Sequence, residues 1–298
     1  MDRTGGNLTQ ITFDKPEYSW EHVAVSPDWR FIVANEPVPK SAGGRPGSYS
    51  RAWLFDLEKG TKAQLLPNWI QVGNGGVDWD QQGFIYFAGK EKFLFANPQG
   101  PLEMLAEAAA HDVFKIKYDG TGLTRVLKTT DRAEADVSVS EDGTLVAAIA
   151  FLTTPDDRRD LSEIWVVNSD GTNPRLVFKG GKTGVSSVHD PEISPDNTRV
   201  IFSMVNSSVP ANYRHRADAN TAHDIWSVKL DGTGLMRLTK PGPISIIPDW
   251  HKGTVVYFEA SEKDNYMGIS VVASDTPDQT PKRIKAGGNS PKWIPDQR

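Results

Sequence analysis

A turn marked by an aspartate returns roughly every 50 residues along this chain of 298, and that period limits what the chain can fold into. The turns are Ser26-Pro27-Asp28, Asp78-Trp79-Asp80, Ser140-Glu141-Asp142, Ser194-Pro195-Asp196, Pro248-Asp249-Trp250 and Pro295-Asp296. After each of the first five comes a β-branched or aromatic strand, at Phe31–Ala34, Phe84–Phe87, Leu145–Ile149, Val200–Phe202 and Val255–Phe258. Next comes a strand with an aromatic near its start, as in Trp53–Phe55, Val113–Ile116, Ile164–Val167 and Ile225–Val228. Three of these run into near-identical turn sequences, Asp119–Gly122, Asp170–Asn173 and Asp231–Gly234, followed by short fourth strands such as Leu123–Leu127 and Leu235–Thr239. Asp170 to Ser203 shows the scheme in one stretch: turn, strand Arg175–Phe178, loop, strand Val188–Ile193, turn, strand Arg199–Ser203. Four short antiparallel strands per unit, repeated, predict an all-β fold, a single β-propeller over residues 1–298.

The count predicts six blades. Five units are full, and the segment Asn289–Asp296 has the look of a sixth first strand with no second or third strand after it. Leu8–Thr12, at the other end, has the look of a fourth strand. Pairing the two termini in one closing blade would seal the ring's open edges. A reduced sixth blade, a chain that stops early, or a five-bladed ring are the alternatives.

Composition narrows the function classes. The formal net charge of −5 argues against nucleic-acid binding through bulk positive charge. No apolar run approaches the roughly 18 residues of a membrane helix. With Cys at 0, disulfides, thiolate metal sites and cysteine nucleophiles are excluded together. Met1–Gly6 has neither a basic start nor an apolar h-region, as expected for a mature exported chain or a cytosolic one. No G-x-S-x-G elbow supports a serine hydrolase. The D-G-T turns are not followed by a helix that could cradle a phosphate.

The phrases Asp190–Asp196 (DPEISPD), Asp231–Thr239 (DGTGLMRLT) and Ser290–Asp296 (SPKWIPD) resemble the repeats of TolB-like propellers, a likeness that runs from about Leu8 to the end. It implies a periplasmic or secreted monomer that binds a protein or glycan ligand. It is specific for fold and weak for activity, because such blades serve docking platforms, peptidase accessory domains and polysaccharide lyases.

In a propeller, connections alternate between the two faces of the ring. The long segments Glu36–Ser50, Gly89–Ala110 and Val205–Ala222 all fall on one face, where binding is expected. His22 and His189 open first strands, which line the channel, and Glu21, Asp78, Glu134, Asp136 and Asp190 join them at its mouth. Nitrogen and carboxylate donors there suit a divalent metal (Ca, Mn or Zn) or an acid–base pair. The candidate binding residues are Trp20, Asp78, Glu134, Asp136, Tyr213 and Arg216. Oligogalacturonate lyases among the TolB-like propellers resemble this chain in carrying histidines just before the Ser-Pro-Asp turn. That resemblance implies His22, His189 and Asp190 as metal ligands, and Arg214 or His215 as the group that removes the uronate α-proton before β-elimination. Against these readings stand structural ones. Channel histidines commonly serve as hydrogen-bonding groups in a wet channel, Arg214 and Arg216 fit a solvated loop, and the repeated pairs His111-Asp112 and His223-Asp224 fit an aspartate bonding a neighbouring strand.

Overall fold

The computed structural model describes residues 21–37, 50–66, 71–90, 111–129, 132–152, 162–180, 188–205, 223–288 and 291–292. Twenty strands in chain order make five antiparallel blades of four. Blade 1 holds β1 (Glu21–Val25), β2 (Phe31–Pro37), β3 (Ser50–Asp56) and β4 (Thr61–Gln64). Blade 2 holds β5 (Gln71–Trp79), β6 (Phe84–Lys90), β7 (Asp112–Lys117) and β8 (Thr124–Leu127). Blade 3 holds β9 (Arg132–Val139), β10 (Leu145–Leu152), β11 (Ser162–Asn168) and β12 (Arg175–Lys179). Blade 4 holds β13 (Val188–Ile193), β14 (Arg199–Val205), β15 (His223–Lys229) and β16 (Met236–Arg237). Blade 5 holds β17 (Ile244–His251), β18 (Thr254–Ser261), β19 (Tyr266–Ala273) and β20 (Lys282–Ala286).

The turn chemistry explains why the hairpins close where they do. In three first turns the serine hydroxyl donates to the aspartate two residues on: Ser26 to Asp28 at 2.6 Å, Ser140 to Asp142 at 2.7 Å and Ser194 to Asp196 at 2.6 Å. The same hydroxyl accepts the N–H that opens the next strand, from Phe31, Leu145 or Arg199. In the D-G-T turns, Asp119, Asp170 and Asp231 each accept both the N–H and the hydroxyl of the threonine two residues on. These are short-range Asx devices that hold a turn without help from the core.

Second strands of the middle blades are apolar on both faces because those blades are packed on both sides. Along β6, Ile85 and Phe87 join the core shared with blade 1, while Tyr86 and Ala88 join the core shared with blade 3. Further cores lie between blades 3 and 4, around Ile149, Ile164 and Phe202, and between blades 4 and 5, around Ile201, Ile225 and Tyr257. Burying a side chain of this size stabilises by about 1.5–3 kcal/mol. First strands pack side by side in the order β1, β5, β9, β13, β17, but β17 and β1 touch marginally at most. Among the described residues no hydrophobic cluster joins blade 5 back to blade 1.

The expectation of six blades is corrected to five. The twenty described strands group into five four-stranded blades, and β20 completes the fifth. Pro291 and Lys292 lie outside any strand, and Lys292 is drawn into the channel by charge. Leu8–Thr12 and Trp293–Asp296 lie outside the described residues. One turn also moves. Pro248-Asp249-Trp250 falls inside β17, because a bulge at Ile247 and Pro248 adds length, and the hairpin turns at Lys252 and Gly253 instead.

Candidate functional site

The bulge recurs in first strands and sets what faces the channel. Register breaks between His189 and Glu192 in β13, between Ala135 and Ser138 in β9, and between Ile246 and Asp249 in β17. Asp136, Asp190 and Ile247 take the left-handed conformation there, with φ of 46°, 51° and 55°. Two residues past this position, each first strand presents one residue at a common level: Ala24, Asp78, Ser138, Glu192 and Asp249. Three of the five are carboxylates.

Lys292 completes this ring. Its Nζ lies 3.2 and 3.3 Å from the two Glu192 oxygens and 3.7 Å from Asp249 Oδ1. Burial opposes the lysine's charge, but Glu192, Asp249 and Asp78 outweigh it and hold the ammonium well above the ordinary lysine pKa. Burial pushes Glu192 well above the usual carboxylate range; Lys292 pulls it down and Asp78 and Asp249 push it further up. Burial likewise raises Asp78, against the pull of Lys292.

Lys292 divides the channel. On one side lies a chamber of about 40 Å³, bounded by Gly76, Asp136, Asp190 and Ile247. On the other a funnel of about 670 Å³ opens to the face carrying the short turns. The first turn of every blade contributes to its wall: Asp28 and Trp29, Gln81, Glu141, Pro195, and His251 with Lys252. Trp79 and Trp250 stand lower in the same wall. Trp29 sits at φ 64°, where the sister turns place Gly83, Gly143 and Asn197. A bulky residue there is a genuine outlier.

The carboxylates singled out from the sequence stitch blades together. Asp78 Oδ2 accepts the Val139 N–H at 2.7 Å, linking blade 2 to blade 3. Asp136 Oδ2 accepts the Asp190 N–H at 3.3 Å, linking blade 3 to blade 4. Asp190 Oδ2 accepts the Ile247 N–H at 3.2 Å, linking blade 4 to blade 5, and also the Ser203 hydroxyl at 2.7 Å. His189 Nδ1 is 3.7 Å from Asp136 and its ring centroid 5.9 Å from that of His223. Burial lowers the imidazole pKa, but Asp136 and Asp190 overcome it and leave His189 raised. Glu134 accepts both the N–H and the hydroxyl of Thr129 and is pushed up to about 7, chiefly by burial.

His22 lies in β1, at the bulge, level with Asp190 rather than with His189, so the two histidines do not hold equivalent positions. Its side chain, with Trp20, Tyr213, Arg214, His215 and Arg216, lies outside the described residues, as do most of the three long segments. Among the described residues, no three His, Asp or Glu side chains form a group fit to hold a metal ion. Asp136 and Asp190, as placed, are committed to backbone N–H groups of the next blade. The His-Asp pairs open β7 and β15, where Asp112 meets Arg125 at 2.8 Å and Asp224 meets Arg237 at 3.9 Å, each arginine coming from the fourth strand of the blade. Sequence reasoning missed Lys292, Glu192, Asp249 and Trp29. Counting back two residues from the turn, and allowing for the bulge, would have aligned Asp78 with Glu192 and Asp249.

No protein-family model matches the chain, and no curated protein matches it by sequence. Solved structures do match. A putative TolB from Agrobacterium tumefaciens is similar at TM-score 0.61 and 12% identity, over 90% of this chain and 81% of that one. TolB from Acinetobacter baumannii is similar at TM-score 0.55 and 13% identity, over 94% of this chain but 58% of that one. An oligogalacturonate lyase from Vibrio parahaemolyticus is similar at TM-score 0.56 and 10% identity, over 93% and 68%. At such identities the likeness establishes the fold, and the fold is that of the TolB-like propellers. No helix of the described residues is long and apolar enough to cross a membrane.

Proposed function

We propose that this chain is an exported interaction platform that holds a protein partner in the funnel on its short-turn face. The observation that carries the reading is Trp29, a large aromatic kept at φ 64° on the funnel rim. Left-handed backbone costs a non-glycine residue about 1–2 kcal/mol, and strain of this kind concentrates at ligand sites. Trp250, half-buried in the same wall, adds amphipathic area of the sort that anchors partners. Export and a protein partner rest on the TolB-like fold.

The test is Trp29→Asn, which installs the residue that Asn197 provides in the sister turn. Wild type and variant are immobilised, exposed to an extract of the source organism and compared by mass spectrometry. A partner held by wild type and lost by a variant of equal or higher thermal stability is the expected result. Equal retention would remove Trp29 and the funnel from the function. A glycan panel with an absorbance scan near 235 nm, roughly where a conjugated uronate absorbs, runs beside it. Unsaturated product there would replace the platform with a lyase.

A further inference from the structure

At the level of the channel ring the first strands supply Ala24, Asp78, Ser138, Glu192 and Asp249, and no cation. The cation present is Lys292, which lies outside the twenty described strands, and its partner Glu192 lies 100 residues away in sequence. The ring is therefore a receptor built by the first strands and filled by a side chain from outside them. The receptor is reachable. Lys292, Glu192, Asp249 and Asp78 all line the funnel, and the lysine side chain is 22% exposed. The funnel is acidic as well: among the described residues of its wall, Asp28, Asp78, Glu141, Glu192 and Asp249 are set against Lys252 and Lys292. An acidic, partly dehydrated slot favours a basic guest and steers it inward.

We infer that the floor of the funnel is an ammonium-binding pocket for a lysine-type side chain presented by a partner, and that Lys292 occupies it in cis until such a group arrives. The inference rests on the platform reading and adds the chemistry of the guest. Two oxygens of Glu192 and one of Asp249 already meet a primary ammonium at 3.2–3.7 Å. A tethered occupant raises the threshold for any free one, because its effective concentration is on the order of millimolar. Deleting the Lys292 side chain leaves buried carboxylates without their cation and a space shaped by an alkylammonium.

The experiment titrates full-length Lys292→Ala with n-butylammonium chloride. n-Butanol and sodium chloride of equal ionic strength are the controls, and calorimetry and thermal shift are the readouts. Expected are saturable one-to-one binding, at least about tenfold tighter than in wild type, and a melting temperature that returns toward the wild-type value with the amine alone. Lys292→Ala/Glu192→Gln should lose that response. If Lys292→Ala does not fold unaided, refolding is run in butylammonium or butanol, and recovery specific to the cation is the supporting result. No saturable binding, an equal effect of butanol, or a response kept in the double variant overturns the inference. So does equal or absent recovery of Lys292→Ala while the double variant folds. Failure here with intact Trp29-dependent partner capture leaves the platform standing; butylammonium binding without a Trp29-dependent partner does the reverse.

Discussion

Glu134→Gln should change how stability depends on pH. Glu134 is 2% exposed, faces the charge of Asp112, and is pushed up to about 7 from 4.5. Below pH 4.5 the carboxyl is protonated folded and unfolded alike and adds nothing to the pH slope. Between 4.5 and 7 the unfolded chain releases its proton first, so folding loses stability as pH rises. Above about 7 the folded chain releases it too, and the loss is complete. The difference of about 2.5 pH units, at about 1.4 kcal/mol per unit, comes to about 3 kcal/mol. Glutamine keeps an oxygen for the Thr129 N–H and hydroxyl but does not titrate. Its amide adds a constant offset of about 1 kcal/mol for donors left unmade. Urea denaturation of both proteins at intervals from pH 4.5 to 8 measures the difference. The variant should gain about 3 kcal/mol on wild type across that span. A constant difference, or a gain by wild type as pH rises, would refute the burial argument.

Two further perturbations test the packing. Glu259 is fully buried, with Arg283 bonded to its Oε1 at 3.1 and 2.7 Å and Ser270 to its Oε2 at 2.6 Å. Arg283→Ala should cost about 3 kcal/mol in urea melts and Glu259→Gln/Arg283→Met much less; equal costs would count against an uncompensated buried charge. Gly171 and Gly120 hold φ of 88° and 83° in equivalent D-G-T turns, but a Cβ at Gly171 would meet Val126 O at 2.9 Å while one at Gly120 would meet nothing. Gly171→Ala should therefore destabilise by more than the roughly 1 kcal/mol of Gly120→Ala, and matching melts would exclude the backbone clash.

What was legible in the sequence is what short range decides. Ser194-Pro195-Asp196 and Asp170-Gly171-Thr172 close their turns with hydrogen bonds two to five residues long, so the composition of a few neighbours announces them. The strand runs follow from two-sided packing, as with Ile201 and Phe202, which face different cores. The blade number was not legible, because Ser290–Asp296 repeats the wording of a first strand while Lys292 answers to three carboxylates from three blades. The roles of Asp136 and Asp190 were hidden for a related reason. An aspartate reads as a ligand until the N–H it accepts from the neighbouring blade is seen. Trp29 gave no periodic signal at all, since only its backbone angle distinguishes it from an ordinary turn residue.

The reach of Lys292 bears on how the chain assembles in time. The Asp78–Val139 hydrogen bond spans 61 residues, whereas Lys292 bonds a partner 100 residues back. Blades whose turns close locally form early, because short loops cost little entropy to close. The lysine has no receptor until Asp78, Glu192 and Asp249 have been gathered, so its docking comes last. An interaction absent from the rate-limiting barrier slows unfolding and leaves folding unchanged. Lys292→Ala should therefore speed unfolding while leaving refolding unchanged, and stopped-flow traces in which refolding slows instead would place the contact inside the barrier.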